Sequence, residues 1–330
     1  MNDHLLDIRH LTSAFLYNGK LVPVIMDVSY SMHSGEVLGV VGESGSGKSV
    51  TAKNIMRLLP TPSAKVLGGE IWLDGENMLV KSEREMQNIR GNKVAMIFQE
   101  PMTSLNPVYT SGGQIVEAIM LHQKLKKNQA RQKAIEMLDL VGIPMPAERL
   151  KAYPHELSGG MRQRVMIAMA LCCNPKLLIA DEPTTALDPT IQAQILELLK
   201  DIRSKIDMSI LYITHDLSVV AELCDRVVVM YAGMVQEIAE VYDLFDKPLH
   251  PYTIGLMQAM PRMDLKLNRL YNIPGVVPHV TQMPEGCHFA PRCPYATSKC
   301  QDECPPVMDA GNRHQVRCWR YQEILKGMLK

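Results

Sequence analysis

Short, wholly apolar runs punctuate this chain, and between them apolar positions recur at helical spacing. Val37–Val41 is a continuous apolar run between Glu36 and Gly42, so Glu36–Gly42 reads as a buried strand. Lys48–Leu59 has helical spacing and is stopped by Pro60 and Pro62. Ile71–Leu73 and Val94–Phe98 are further short strand candidates. The texture then changes. Gly112–His122, Gln129–Gly142 and Met145–Lys151 are helix-like, separated by Gly, Pro and polar breaks, which predicts a helical insertion over roughly residues 100–165. Beyond it come a helix over Met161–Cys173, a buried strand over Leu177–Ala180, a helix over Pro189–Lys205 and a strand over Met208–Thr214. Arg226–Tyr231 and Met234–Ile238 read as a closing hairpin across Ala232-Gly233. This alternation predicts an α/β fold with a mainly parallel sheet covered on both faces. After Pro248 prolines thicken, and Gly275–Cys318 reads as a small loop-rich module that needs a staple.

Charge and composition narrow the possibilities. Lys plus Arg and Asp plus Glu both number 35, so nothing points to a broad nucleic-acid surface. The first ten residues mix charge with apolar positions and lack the core of a secretory signal. The apolar run Val165–Cys173 stops after nine residues, against the ~18 that indicate a membrane span. The expectation is a cytosolic chain, with any transmembrane pathway supplied by other polypeptides. Of eight cysteines, Cys172, Cys173 and Cys224 fall in helical patterns as small core residues, whereas Cys287, Cys293, Cys300, Cys304 and Cys318 crowd the end of the chain. In a reducing compartment such crowding indicates metal binding before disulfides. The 23 methionines read as core filler.

The chemistry begins at Gly42–Ser49. GESGSGKS matches the phosphate-binding loop G-x-x-x-x-G-K-[ST], and it sits between a strand and a helix. Gly42, Ser44, Gly45 and Gly47 bring backbone N–H groups to the phosphates, the helix start adds its dipole, Lys48 reaches the β- and γ-phosphates, and Ser49 ligates Mg²⁺. Leu177–Glu182 is an apolar strand ending in two carboxylates, Asp181 and Glu182, whose side chains diverge by strand alternation. Between these lies LSGGMRQR, Leu157–Arg164, in which Ser158, Gly159 and Gly160 open a second helix N-terminus suited to an anion.

P-loop, signature and acidic strand, in this order, resemble an ATP-binding cassette, the P-loop ATPase domain of membrane transporters. The resemblance implies ATP and Mg²⁺ as ligands. It makes Asp181 the carboxylate that holds Mg²⁺ and Glu182 the residue that activates the attacking water. Gln99 is implied as the glutamine that senses Mg²⁺ and γ-phosphate, and His215 as the histidine that contacts γ-phosphate. Ser158, Gly159 and Gly160 of one subunit would close over the nucleotide of the other, with Asp188 communicating across that interface. Met161 stands where glutamine is usual, a change expected to be tolerated. Phe15, with Tyr17 as alternative, would stack on adenine.

Phe98–Pro107, Ala180–Asp188, His250–Thr253 and Ile273–Pro278 make the chain similar to the ATPases of dipeptide/oligopeptide and nickel importers. That likeness implies an ATPase domain over 1–247 and an oligopeptide-transporter-type extension over 248–330. It further implies a 4Fe–4S cluster held by Cys287, Cys293, Cys300 and Cys318, with structural zinc or unligated thiols as the alternatives and Cys304 as a possible substitute ligand. The implied partners are a second, related ATPase subunit, two transmembrane permease subunits that dock on the helical insertion, and an extracellular substrate-binding protein. The implied place is the cytoplasmic face of the membrane, and the implied work is ATP-driven peptide import. A nickel or metallophore importer is the alternative cargo reading. DNA-repair and translation ATPases share the signature, but the chain has neither the long heptads of the first nor the paired cassettes of the second.

Overall fold

An Asn-Gly pair turns the chain early. β1 (His4–Tyr17) and β2 (Lys20–His33) flank Asn18 and Gly19, whose φ values of 48° and 76° are the left-handed pair that a two-residue hairpin with twisted strands requires. The computed structural model describes residues 4–99, 104–185, 187–206, 208–260 and 271–329. Residues 100–103 of the Phe98–Pro107 stretch and Ala186 of the Ala180–Asp188 stretch lie outside the described residues. Contacts divide the chain into two units, one made of 1–32, 37–79 and 213–330, the other of 33–36 and 80–212.

In the first unit β1, β2, β4 (Ala64–Leu73) and β5 (Glu76–Asn77) form a sheet in the order β2-β1-β4-β5, with β4 antiparallel to both β1 and β5. Only Ile71–Leu73 of this sheet is legible in the apolar pattern. A register shift between Arg9 and Thr12, with His10 at φ 48°, slips the alternation of β1, so the buried positions pass from Leu6 and Ile8 before it to Leu11 and Ser13 after it. The same unit holds β3 (Val37–Val41), buried at every position and parallel to β9 (Arg226–Tyr231). β10 (Met234–Glu240) returns antiparallel to β9 as the hairpin predicts. The C-terminal segment continues this ladder. β12 (Gln315–Val316) pairs with β10 at Glu237 and Ile238, and β11 (Met308–Asp309) pairs with β12.

In the second unit β6 (Val94–Ile97) and β7 (Leu177–Asp181) are parallel, from Val94 opposite Leu177 to Ile97 opposite Ala180. Helices Ser111–Gln123, Lys127–Leu140 and Gly159–Leu171 pack through Ile115, Ile119, Ala130, Ala134, Leu138, Val165 and Ile167. Helix Pro189–Lys205 buries Ile195, Leu196, Leu199 and Ile202, one stripe at helical spacing. β8 (Ser209–Thr214) crosses the division between Tyr212 and Ile213. The fold is therefore a mixed α/β cassette in which parallel pairs coexist with an antiparallel sheet. Two smaller departures have local causes. The helix from Lys48 ends at Ile55 instead of Leu59, because Arg57 adopts φ 49°. A short helix over Leu217–Leu223, capped by Asp216, follows β8 where the sequence offers only seven residues of pattern.

Candidate nucleotide site

The P-loop is built by close backbone approach. At Gly42, φ 155°, a Cβ would lie 2.1 Å from the Met230 carbonyl oxygen of β9. At Gly47, φ 99°, it would lie 2.6 Å from Ile25 Cγ2. These glycines let the loop seat against its own unit, a requirement additional to leaving the phosphates accessible. Ser44 and Gly45 are exposed at the crown. Lys48, only 5% exposed, spans the loop from within and donates from Nζ to the carbonyls of Gly42 at 2.7 Å and Glu43 at 3.1 Å. Its ammonium thus lies beside a ring of backbone groups, at the start of the helix Lys48–Ile55, where Ser49 is the second residue. Phe15 is half-buried in β1 opposite Ala64, while Tyr17 is 47% exposed and meets the His279 ring edge-on at 6.0 Å. His215 is exposed just beyond β8.

The second unit brings Gln99 and Glu182 together. Asp181, 3% exposed, is the last residue of β7. Glu182 leaves the strand with φ 47°, so the two carboxylates diverge by a backbone turn rather than by strand alternation alone. Glu182 Oε2 accepts from Gln99 Nε2 at 3.1 Å and from Thr185 Oγ1 at 2.9 Å, which fixes the direction of its carboxylate.

The signature residues stand where their sequence places them. Ser158 caps the helix Gly159–Leu171, its Oγ accepting from the Met161 N–H at 3.3 Å. A Cβ on Gly160 would press on Ile191 at 3.1 Å, so the bare helix start belongs to packing as well as to chemistry. Gln163 is fully buried and donates to the Pro183 carbonyl at 2.5 Å, tying this helix to the segment after Glu182. Asp188 caps the helix Pro189–Lys205 by accepting from the Ile191 N–H at 3.0 Å.

Back in the first unit, Cys287, Cys293, Cys300 and Cys318 line a single cavity with His250, Tyr295 and Arg320, and none is in a disulfide. Cys304 is not among the lining residues and lies 4.0 Å from Met234 Sδ. Burial pushes the Cys287 thiol up to about 11 and that of Cys318 up to about 12, and the neighbouring cysteines add to both. Burial also raises Cys293. As arranged, no group of three or more His, Cys, Asp or Glu among the described residues forms a metal-holding set. An aromatic core stands beside the cavity, with Phe289 5.2 Å from Tyr231 and 5.4 Å from Tyr252.

Comparison with known proteins follows the same division of labour. Residues 25–185 match the family model for ABC transporters, and residues 236–300 match that for the C-terminal region of oligopeptide/dipeptide transporters. A probable peptide ABC transporter ATP-binding protein of Sinorhizobium fredii is 52% identical over 98% of this chain and 97% of its own length. The chain belongs to the ATP-binding proteins of peptide ABC transporters. Within that family, the oligopeptide transport ATP-binding protein AppD of Bacillus subtilis is 51% identical, over 97% of each chain. The dipeptide transport ATP-binding protein DppD of the same organism is 50% identical over 96% of this chain and 95% of its own. Among solved structures, a dimeric ATP-binding cassette in a post-hydrolysis state with ADP and Pi matches with TM-score 0.64 and 26% identity, over 72% of this chain and 98% of that one.

Several residues of this peptide-transporter ATPase escape motif reading. Thr185 carries a visible signal, a hydroxyl three residues after Glu182, but its hydrogen bond depends on the turn at Glu182. Glu237 carries none. It is fully buried in β10, and its carboxylate accepts from the N–H groups of Leu249 at 2.6 Å and His250 at 3.0 Å and lies 2.7 Å from His314 Nε2. Only folding brings those partners from across the sequence.

Proposed function

We propose that this chain hydrolyses ATP to power import of peptides through a membrane transporter. The likeness to peptide-transport ATP-binding proteins at about half identity over nearly the whole chain carries this reading. Residues 1–247 act as the ATPase domain, with the helical subdomain at about 100–165, and 248–330 as the extension. Gly42, Ser44, Gly45, Gly47 and Lys48 hold the phosphates. Phe15 stacks on adenine. Ser49, Gln99 and Asp181 offer hard oxygen donors of the kind Mg²⁺ takes, and Asp181 brings a buried carboxylate to that set. Glu182, oriented by Gln99 and Thr185, orients and deprotonates the attacking water, and His215 contacts the γ-phosphate. Ser158, Gly159, Gly160 and Asp188 serve the nucleotide of a second, related ATPase subunit.

The working assembly includes two permease subunits and an extracellular substrate-binding protein, with this chain peripheral on the cytoplasmic face. No helix among the described residues is long and apolar enough to cross a membrane. The four thiols line one cavity and are the donor type an all-sulfur site uses, although as arranged they do not form a metal-holding set; we assign them a 4Fe–4S cluster, which would staple the extension once they draw together on it. Thiols that burial keeps protonated would release their protons on binding metal, so assembly favours alkaline conditions. The test is purification of the intact membrane complex with its binding protein. Peptide-stimulated ATP hydrolysis is expected, and stimulation by nickel instead of peptide defeats the cargo assignment. Anaerobically prepared chain is expected to be brown with about four iron atoms per chain. Colourless protein with one zinc per chain overturns the cluster.

A further inference from the structure

The P-loop of this chain carries a carboxylate of its own. Glu43 follows Gly42, and every polar group it has is held. Its N–H donates to the Tyr252 hydroxyl at 2.8 Å, and its carbonyl accepts from Lys48 Nζ at 3.1 Å and from the Ser46 N–H at 3.1 Å. Its carboxylate accepts a two-pronged bond from Arg292 at 2.7 and 3.2 Å. Arg292 sits between the second cysteine of the cavity and the Ala290-Pro291 turn, with its side chain only 3% exposed. The other edges of its guanidinium donate to the carbonyls of Pro274 at 2.9 Å and Ile273 at 3.2 Å and to the Tyr231 hydroxyl at 3.3 Å. It also lies over the rings of Tyr231 and Phe289 at 5.6 and 5.9 Å.

This is a cation fixed in advance. Charge interactions across a partly buried loop fall off slowly with distance, so an uncompensated carboxylate at Glu43 repels any polyphosphate the loop receives. We propose that Arg292 is a positioning residue for ATP binding, which neutralises and orients Glu43 so that the loop N–H groups and Lys48 meet the triphosphate without that repulsion. The inference rests on the ATP-binding reading of the P-loop and extends it by giving the C-terminal segment a share in nucleotide affinity. The contact is electrostatic in kind, because Tyr252 and Lys48 hold the main chain of Glu43 while Arg292 touches only its carboxylate. Removing the guanidinium therefore leaves the backbone bonds of the loop in place and removes the charge compensation.

Calorimetric binding of Mg–ATP and Mg–ADP to the full-length chain tests this, with Arg292→Met, Glu43→Gln and the double variant as a cycle. Arg292→Met is expected to lose about tenfold or more in ATP affinity and less in ADP affinity, because ATP brings the additional negative charge. The double variant is expected to recover to within about threefold of Glu43→Gln alone. Equal losses for ATP and ADP, or no recovery in the double variant, overturn the proposal. Arg292→Lys keeps the cation and is expected to keep the wild-type ratio of ATP to ADP affinity. A roughly tenfold fall of that ratio in folded Arg292→Lys overturns the proposal even where Arg292→Met fails to fold. Wild-type chain that binds no ATP sinks the reading of the loop itself, a separate result from failure of the charge pair.

Discussion

Glu182 shows how much a single backbone dihedral contributes to the site. Its φ of 47° takes it off β7, and Gln99 and Thr185 then hold its carboxylate from two directions. Glu182→Gln keeps the shape but removes the proton acceptor, so hydrolysis is expected to fall by about 10² to 10⁴ while ATP stays bound. Single-turnover and binding assays on the same protein check this, and turnover within about threefold of wild type counts against the role of Glu182 as base. Lys48→Ala should act at the other step. Its ammonium is buried among the carbonyls of the loop and has no substitute there, so ATP affinity is expected to drop, and unchanged affinity by calorimetry refutes its phosphate role. Both residues are legible in the sequence because local spacing defines them. Thr185 and Arg292 are not, since each acquires its role from a partner that a turn or a distant segment supplies.

At the scale of elements, the P-loop, the signature helix and β7 follow from local pattern, and the antiparallel sheet does not. The bulge in β1 and the half-exposed faces of β1 and β2 blur the period of two, although Asn18-Gly19 marks their turn. The anchoring of the C-terminal segment is likewise a tertiary matter. β12 joins the sheet beside β10, and Glu237 ties the N–H groups of Leu249 and His250 to the same strand. Glu237→Ala leaves those buried donors without an acceptor, and a loss of about 3 kcal/mol or more is expected. Denaturant unfolding measures the loss, and limited proteolysis should find new cleavage near 304–329. A change below about 0.5 kcal/mol contradicts the anchoring role.

For the whole molecule, the buried imidazole of His250 sets a pH limit. Burial drives its pKa down from 6.5 to about 3, and its Nδ1 accepts from the Tyr252 N–H, which requires the neutral ring. A folded-state value below the unfolded one means that the unfolded chain binds more protons. The stability it preserves is therefore complete above about 6.5 and is lost as pH falls towards about 3, at a limiting slope of about 1.4 kcal/mol per pH unit. His250→Asn, which can still cap the helix Pro251–Ala259, is expected to unfold with a shallower pH dependence between 7 and 5. An unchanged slope by denaturant titration at both pH values rules this source out. The shared-site reading also makes a whole-molecule prediction: specific ATPase activity should fall on dilution to monomer, and activity independent of concentration defeats it.

By itself the sequence determined the chemistry. The P-loop, the Asp-Glu strand end and the signature are runs of neighbouring residues, and their backbone conformations follow from glycine placement, helix caps and apolar strands acting over a few positions. Tertiary structure decided how that chemistry is held. Glu43 and Arg292 are 249 positions apart, and Glu237 and His314 are 77 positions apart. Such pairs leave no local period, because burial away from water, not spacing along the chain, is what makes each partner necessary.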